Sequence, residues 1–287
     1  MSRIAYVNGV YVPHADAAVH VEDRGYQFAD GVYEVVTVVD GKLIDEEPHL
    51  DRLDRSLREL DMASPMGRPS LKFVLREIVR RNRVRTGIVY FQVTRGVAKR
   101  DHPYPRPPVS PSIVATAKSM PALARPPSPD GISVVTVPDI RWGRCDIKTV
   151  GLLPNCMAKQ HAVESGANDA WMTDENGNVT EGSASNAWIV TADGELVTRP
   201  TSDNILNGIT RRRMTSIAEQ QGLKIVERAF SVDEAKNAKE AFQTSASGFP
   251  KPVTRIDGTS VGNGRMGELT AKLHEHYMAF VADAPAT

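Results

Sequence analysis

Between Pro121 and Asp130 the chain places four prolines in ten residues, Pro-Ala-Leu-Ala-Arg-Pro-Pro-Ser-Pro-Asp. Proline has no N–H and a locked φ, so this stretch suits neither a helix interior nor a central strand and reads as a stiff, extended spacer. It interrupts a chain of 287 residues, longer than the roughly 250 at which a single core stops growing. The expected organisation is a smaller domain over 1–120, a linker over 121–130 and a larger domain over 131–287.

Strand signals dominate the first part. Asn8-Gly9 separates Ile4–Val7 from Val10–Val12, and Asp40-Gly41 separates Tyr33–Val39 from Lys42–Ile44. Both dipeptides accept positive φ and predict tight hairpins. Leu50, Leu53, Leu57 and Leu60 recur at helical spacing after Pro48, and a second helix is expected from Leu71 to Arg81. Strands at Ile88–Thr94 and Ile113–Ala117 flank a loop rich in proline and charge, Gly96 to Pro111. Past the linker, strands are expected at Ser133–Val137, Asp169–Met172, Ala187–Val190 and Leu196–Thr198, with helices at Asn155–Glu164, Thr210–Gln221 and Glu268–Val281. Strands do not alternate regularly with long helices, and no glycine-rich strand-to-helix fingerprint occurs, which argues against a dinucleotide-binding parallel sheet. The fold class expected is α+β, a mixed α/β chain in two domains.

Charge narrows the function classes. Basic and acidic side chains balance at 35 each, which removes any electrostatic argument for nucleic acid or an anionic membrane as partner. No run approaches the roughly 20 apolar residues of a membrane span, and Met1-Ser2-Arg3-Ile4 leads into strand-like sequence without a signal-peptide core. Cys145 and Cys156 are too few for a disulfide framework and lack metal-ligand company, so no metal site is expected and a reduced, cytoplasmic setting is.

The chemistry is concentrated in a few segments. Lys148 follows Arg141-Trp142-Gly143-Arg144-Cys145-Asp146-Ile147 and opens a mostly uncharged turn, Thr149 to Asn155. A free lysine titrates at about 10.4 and is a poor nucleophile near neutrality; burial or a cationic neighbour lowers it. Glu181 lies in Val179-Thr180-Glu181-Gly182-Ser183-Ala184-Ser185-Asn186, where an acid often caps a turn. An amine in apolar surroundings and a carboxylate on a glycine/serine turn also suit a pyridoxal phosphate site. There the amine forms a Schiff base and the carboxylate keeps the ring nitrogen protonated. Ser183, Ser185 and Asn186 then face cofactor or substrate oxygens. Leu206-Asn207-Gly208-Ile209-Thr210-Arg211 offers a glycine turn entering a helix, a seat for phosphate. Arg211, Arg212 and Arg213 at that helix start point to an anion nearby or to a solvated basic patch. Thr244-Ser245-Ala246-Ser247-Gly248 is a second hydroxyl-rich turn, and Arg100-Asp101-His102 sets two donors on one side of an extended loop, suited to a substrate carboxylate. Lys159 is read as an exposed helix residue.

Together these segments resemble the class IV (fold type IV) pyridoxal phosphate aminotransferases. Val21 to Val36, His49-Leu50-Asp51-Arg52-Leu53, Tyr90 to Gly96, Arg141 to Lys148, Val179 to Ser183 and Ile205 to Arg211 follow the family pattern in order, from near residue 4 to about 275. Within the class, Arg100-x-His102 with Tyr33 resembles the carboxylate trap of the D-amino-acid transaminase subgroup. The resemblance implies a smaller N-terminal α/β domain and a larger, β-barrel-like domain with helices. It implies pyridoxal 5'-phosphate as cofactor and amino and keto acids as substrates. It also implies a homodimer in which the Arg100/His102 loop closes over the neighbouring active site. Residue by residue it makes Lys148 the Schiff-base lysine and proton shuttle, and Glu181 the ring-nitrogen partner. Arg52, Gly208, Ile209 and Thr210 fall at the phosphate, Leu206 at one side of the ring, and Ser183, Ser185, Ser245 and Ala246 at further cofactor positions. Tyr33, Tyr90, Arg100, His102 and Ser247 fall around the substrate. Ala246 stands where a phosphate-binding threonine is usual, Ala184 replaces a serine, and Gly248-Phe249-Pro250-Lys251-Pro252 replaces a more acidic segment. The activity implied is transfer of the amino group of a D-amino acid, of D-alanine or D-glutamate type, to 2-oxoglutarate or pyruvate. The runner-up readings are an R-selective amine transaminase or a hybrid of the two, a lyase of aminated chorismate, and a non-catalytic, cofactor-binding regulatory protein.

Overall fold

The computed structural model describes residues 3–284. They gather into two units. One runs to Ala124 and also takes Ile147–Gly151 and Ala284; the other holds Arg125–Asp146 and Leu152–Asp283. The proline stretch is not extended throughout, because Pro121–Ala124 close one turn of 3-10 helix. Proline is tolerated at the first position of a turn, where its missing N–H would have had no partner.

The smaller unit is a six-stranded antiparallel sheet covered on one face by helices. Its elements are β1 (Ile4–Val7), β2 (Val10–Pro13), α1 (Arg24–Phe28), β3 (Gly31–Val39), β4 (Lys42–Leu43), α2 (Glu46–Glu59), α3 (Arg68–Arg81), β5 (Gly87–Thr94) and β6 (Ser112–Ser119). The strand order is β2-β1-β6-β5-β3-β4. Both hairpins form where expected; Asn8 and Gly9 take φ of 46° and 102°, the left-handed pair that matches strand twist. Helix α2 begins two residues before Pro48, which sits harmlessly in its first turn. Leu71, Val74, Leu75, Ile78 and Val79 make the buried stripe of α3. They pack with Leu50, Leu53 and Leu57 of α2 on Val32, Val36, Val89, Phe91 and Ala115 of the sheet. Each fully buried leucine contributes about 1.5–3 kcal/mol by leaving water. Side chains alternate along a strand, so Tyr33 and Val35 of β3 and Tyr90 and Gln92 of β5 occupy the other face, half-buried.

The larger unit is built on β7 (Ile132–Pro138), α4 (Leu153–Glu164), β8 (Asp169–Thr173), β9 (Val179–Gly182), β10 (Asn186–Val190), β11 (Leu196–Thr198), α5 (Ile209–Gln220), β12 (Ile225–Glu227), α6 (Val232–Lys236), β13 (Glu240–Thr244), β14 (Lys251–Ile256), β15 (Thr259–Ser260) and α7 (Glu268–Asp283). Eight strands run in the order β12-β11-β10-β13-β14-β7-β8-β9, with β15 paired to β14. The far end of this sheet curls back on its middle, because Gly182 of β9 bridges Ser185 just ahead of β10. That curl gives the barrel-like form expected of the larger domain. Trp171, Val179, Ile189, Phe230 and Ile256 fill its interior. Small residues let α4 approach the sheet: Ala158 and Ala162 lie against Ala170 and Met172. All four strand residues of β9 are buried, Glu181 among them, and this prepares the site.

Candidate active site

In the larger unit, Glu181 is a carboxylate 5% exposed on an otherwise buried strand. Burying a charge is tolerated only when it is paired and hydrogen-bonded. Arg141 donates to it through Nη1 in a very short contact. Asn186 Nδ2 donates at 3.0 Å and the Leu206 N–H at 3.2 Å. The same Asn186 Nδ2 also donates to the Leu206 carbonyl at 2.9 Å, so Leu206 is held through both backbone groups. A Cβ on Gly208 would stand 2.1 Å from Asn186 Oδ1; only glycine lets the chain pass here on its way into α5.

Helix α5 then starts at Ile209 with Gly208 as its N-cap and no side-chain cap. Ile209 and Thr210 are each 4% exposed. A buried helix start leaves backbone N–H groups without intrahelical partners and concentrates positive potential, which suits an anion. Ser185 Oγ is buried and has no hydrogen-bond partner among the described residues, and an orphaned hydroxyl costs about 1–3 kcal/mol unless something accepts from it or donates to it. The strand register adds the second hydroxyl turn: Asn186 pairs with Thr244, which brings Ser185 beside Ser245. Ser245 and Ala246 are half-buried and Ser247 is exposed. Ser183 is turned elsewhere, since its hydroxyl donates to buried Asp169 at 2.5 Å, which also accepts from Gln243 at 2.8 Å. A carboxylate for a ring N–H, an uncapped buried helix start and an unpartnered hydroxyl fit a phosphorylated pyridine group.

In the smaller unit, Ile147–Gly151 lies along the edge of β3 that β4 leaves open. The Tyr33 N–H donates to the Lys148 carbonyl at 2.9 Å, and the Val150 N–H donates to the Gly31 carbonyl at 3.0 Å. Ile147, 3% exposed, anchors the segment in the core. Lys148 is half-buried, with Nζ 4.1 Å from the centre of the Tyr33 ring, a cation–π distance. The Tyr33 and Tyr90 rings lie 5.5 Å apart. Burial pushes the Tyr90 phenol up to about 12, so it keeps its proton, which it donates to Gln92 Oε1 at 2.7 Å. A cavity of ≈ 330 Å³ opens on this sheet face, lined in part by Gln92, Thr94, Ser112, Val114 and Val150; its size is in the range of small-molecule pockets.

Arg52 is on the opposite face of β3, gripped by Glu34. Nε and Nη2 donate to the two carboxylate oxygens at 2.7 and 2.8 Å, and His49 Nδ1 lies 2.7 Å from Oε2. Burial alone would raise the Glu34 carboxyl, but Arg52 and His49 outweigh it and bring it to about 2. The folded value is below the unfolded one, so this cluster stabilises the fold above about pH 4.5 and loses that contribution as pH falls toward 2. Urea midpoints measured across that window should fall by the equivalent of the order of 3 kcal/mol. Glu34→Gln should flatten the acid slope and cost about 3–5 kcal/mol at neutral pH by stranding Arg52.

Arg100 and His102 are exposed and converge on one ring. The Arg100 guanidinium carbon lies 4.5 Å from the centre of Phe28, and the His102 ring lies 5.6 Å from it. Their loop is pinned by Arg24, which donates to the carbonyls of Asp101 at 2.7 Å and His102 at 3.2 Å and pairs with Asp30 at 2.7 Å. Nothing in local sequence pairs Arg24 with residues more than seventy positions away.

The arginine run at the start of α5 is not a wholly solvated patch. Arg211 is 3% exposed and its Nη2 donates to Glu227 at 2.8 Å and to the Arg199 carbonyl at 2.9 Å. Arg213 lies over Phe280 at 4.0 Å; Arg212 alone is exposed. Lys159 is exposed as expected, with Nζ 3.4 Å from Asp169. Other groups that bear on the site carry no signal in local sequence, among them Arg141 on Glu181 and Gln243 on Asp169. These side-chain contacts span 40 and 74 positions.

The sequence profile of the amino-transferase class IV family matches residues 31–256. The chain is 40% identical over 278 residues to a D-alanine aminotransferase of Staphylococcus haemolyticus, covering 96% of this chain and 97% of that one. It is 40% identical over 280 residues to a D-alanine aminotransferase of Listeria monocytogenes serotype 4b (strain F2365), covering 97% and 96%. Among solved structures, a branched-chain aminotransferase of the thermophilic archaeon Thermoproteus uzoniensis with norvaline superimposes with a TM-score of 0.84 at 26% identity, over 98% of this chain and 95% of that one.

Proposed function

Because the chain belongs to the class IV amino-transferase family, we propose that it transfers the amino group of a D-amino acid, of D-alanine or D-glutamate type, to a 2-oxo acid such as 2-oxoglutarate or pyruvate. The observation that most supports this reading is the buried Glu181 carboxylate beside the uncapped start of α5, an acceptor for a ring N–H and a seat for an anion on one frame. Similarity to the D-alanine aminotransferases of two genera supports the choice of D-acids. Pyridoxal 5'-phosphate, when bound, carries the amino group and draws off the electron pair released at the substrate Cα.

The chain's own groups do the rest. Lys148 Nζ holds the cofactor covalently between turnovers and, once released, moves the proton at Cα; Tyr33 keeps that amine close by its ring face. Glu181 holds the proton on the ring nitrogen, with Leu206 against one side of the ring. Ile209, Thr210, Gly208 and Ser245 hold the phosphate, while Ala246 adds only backbone there; Arg52, engaged with Glu34 on the opposite face of β3, is left out of that set. Ser185 donates its unused hydroxyl to the cofactor, and Ser183 acts through Asp169 to keep the turn in shape. Tyr90 and Ser247 border the substrate. Arg100 and His102 take the substrate carboxylate, each from the neighbouring protomer of a homodimer. Exposed Val21, Tyr26, Val97 and Tyr104 around that loop support such an interface.

The test is a donor panel. Purified protein should be yellow, bleach with D-alanine, and turn over D-alanine faster than L-alanine or (R)-1-phenylethylamine. Arg100→Ala should lower kcat/KM for D-alanine about 10–100-fold, the scale of a charged hydrogen bond, and leave the amine rate near wild type. Equal use of both alanine enantiomers by the wild type would remove the assignment. Mixing Lys148→Ala with Arg100→Ala protein should restore activity if the loop serves the neighbouring site.

A further inference from the structure

Asp139 is tightly bound into the site around Glu181. It follows β7, and its carboxylate grips Arg141 from two sides: Nε donates to Oδ1 at 2.9 Å and Nη2 to Oδ2 at 2.7 Å. The Arg141 backbone N–H donates to Oδ1 at 3.1 Å, and Thr180 Oγ1 donates to Oδ2 at 2.7 Å. Arg141 reaches Glu181 through its remaining nitrogen, Nη1, and also donates to the Asn204 carbonyl at 3.1 Å. The side chains of Arg141, Glu181 and Asp139 are only 7%, 6% and 12% exposed. Burial would raise the Asp139 carboxyl, but the Arg141 bonds outweigh it and hold it below the ordinary carboxylate range, so it is charged at neutral pH.

Two carboxylates around one guanidinium leave a net negative charge. With Asp139 neutral, Arg141 and Glu181 would form a closed pair of zero charge, and a cationic ring nitrogen beside it would have no net negative charge to balance it at low dielectric. We propose that Asp139 is a positioning residue that occupies Arg141 and thereby leaves Glu181 the net negative charge that keeps the cofactor ring nitrogen protonated. This rests on the cofactor reading given under the proposed function. Thr180, next to Glu181 on β9, ties Asp139 to the same strand and makes the arrangement rigid.

The experiment uses the holoenzyme reconstituted with pyridoxal phosphate carrying 15N in the ring. The nitrogen resonance reports whether that atom is protonated, independently of turnover. The wild type should show the protonated position. Asp139→Asn should move it to the unprotonated position, with the dissociation constant for cofactor rising about tenfold or more, the scale of one lost charge-assisted hydrogen bond. Asp139→Asn combined with Arg141→Met leaves Glu181 as the lone charge and should return the protonated signal, a rescue that a merely structural role would not give. If Asp139→Asn does not fold, Asp139→Ser serves with the same expectations. A protonated ring in the single variant, or no return in the double variant, overturns the inference while the cofactor reading stands. Wild-type protein that takes up no cofactor overturns both.

Discussion

Lys148→Ala is expected to abolish measurable transamination. Proton transfer by one positioned base contributes about 10²–10⁴-fold, and the variant loses that together with the covalent hold on the cofactor. The fold should survive. The segment is anchored by Ile147 in the core and by backbone bonds of Lys148 and Val150 to β3, and none of these uses the amine. Urea unfolding should therefore move little while kcat collapses. Borohydride should fix cofactor to the Lys148 peptide of the wild type and to no peptide of the variant. Added methylamine should restore part of the rate, because a small amine can stand where Nζ stood. A variant with near-wild-type turnover, or reduction that labels Lys159, would remove Lys148 from the mechanism.

Glu181→Gln should bind cofactor and fail at the proton-transfer step, lowering kcat about 10²–10³-fold, as removal of one preorganised electrostatic partner does. The neutral amide can keep the bonds from Asn186 and Leu206, so the turn into α5 should hold its shape. What goes is the negative charge. The substrate KM should change much less than kcat, because Glu181 acts on charge that develops during reaction and not on substrate binding. A substrate isotope effect at Cα should grow as that step becomes fully limiting. An unchanged kcat would show that Glu181 is only a structural acid, the role that residues on such turns commonly have.

Much of the smaller unit was legible in sequence because its signals are local. Asn-Gly and Asp-Gly between β-branched runs specify hairpins through backbone sterics alone, and the leucine spacing of α2 and the stripe of α3 follow from helix geometry. In the larger unit four strands and three helices were legible for the same reason, and Leu196–Thr198 forms a strand with the bounds expected; β9, β12, β13, β14 and β15 were not. Short elements with no periodicity were not: α1 and α6 have five residues each, too few for a hydrophobic pattern to develop. The proline stretch predicts a stiff, extended spacer, whereas Pro121–Ala124 make a 3-10 turn.

The candidate site divides along the same line. Lys148, Glu181 and the glycine turn before α5 could be singled out because residue type and immediate neighbours carry their chemistry. What each of them touches could not. Arg141 meets Glu181 across 40 positions, Arg24 pins the Arg100–His102 loop across 77 and 78, and Arg211 pairs with Glu227 across 16. Strand order and register decide these meetings, and they depend on which of many faces can be buried together. Local sequence therefore set the elements and supplied the reactive groups; the packing of sheet and helix alone decided which charges face one another, because a buried charge is tolerated only where a distant part of the chain brings its partner.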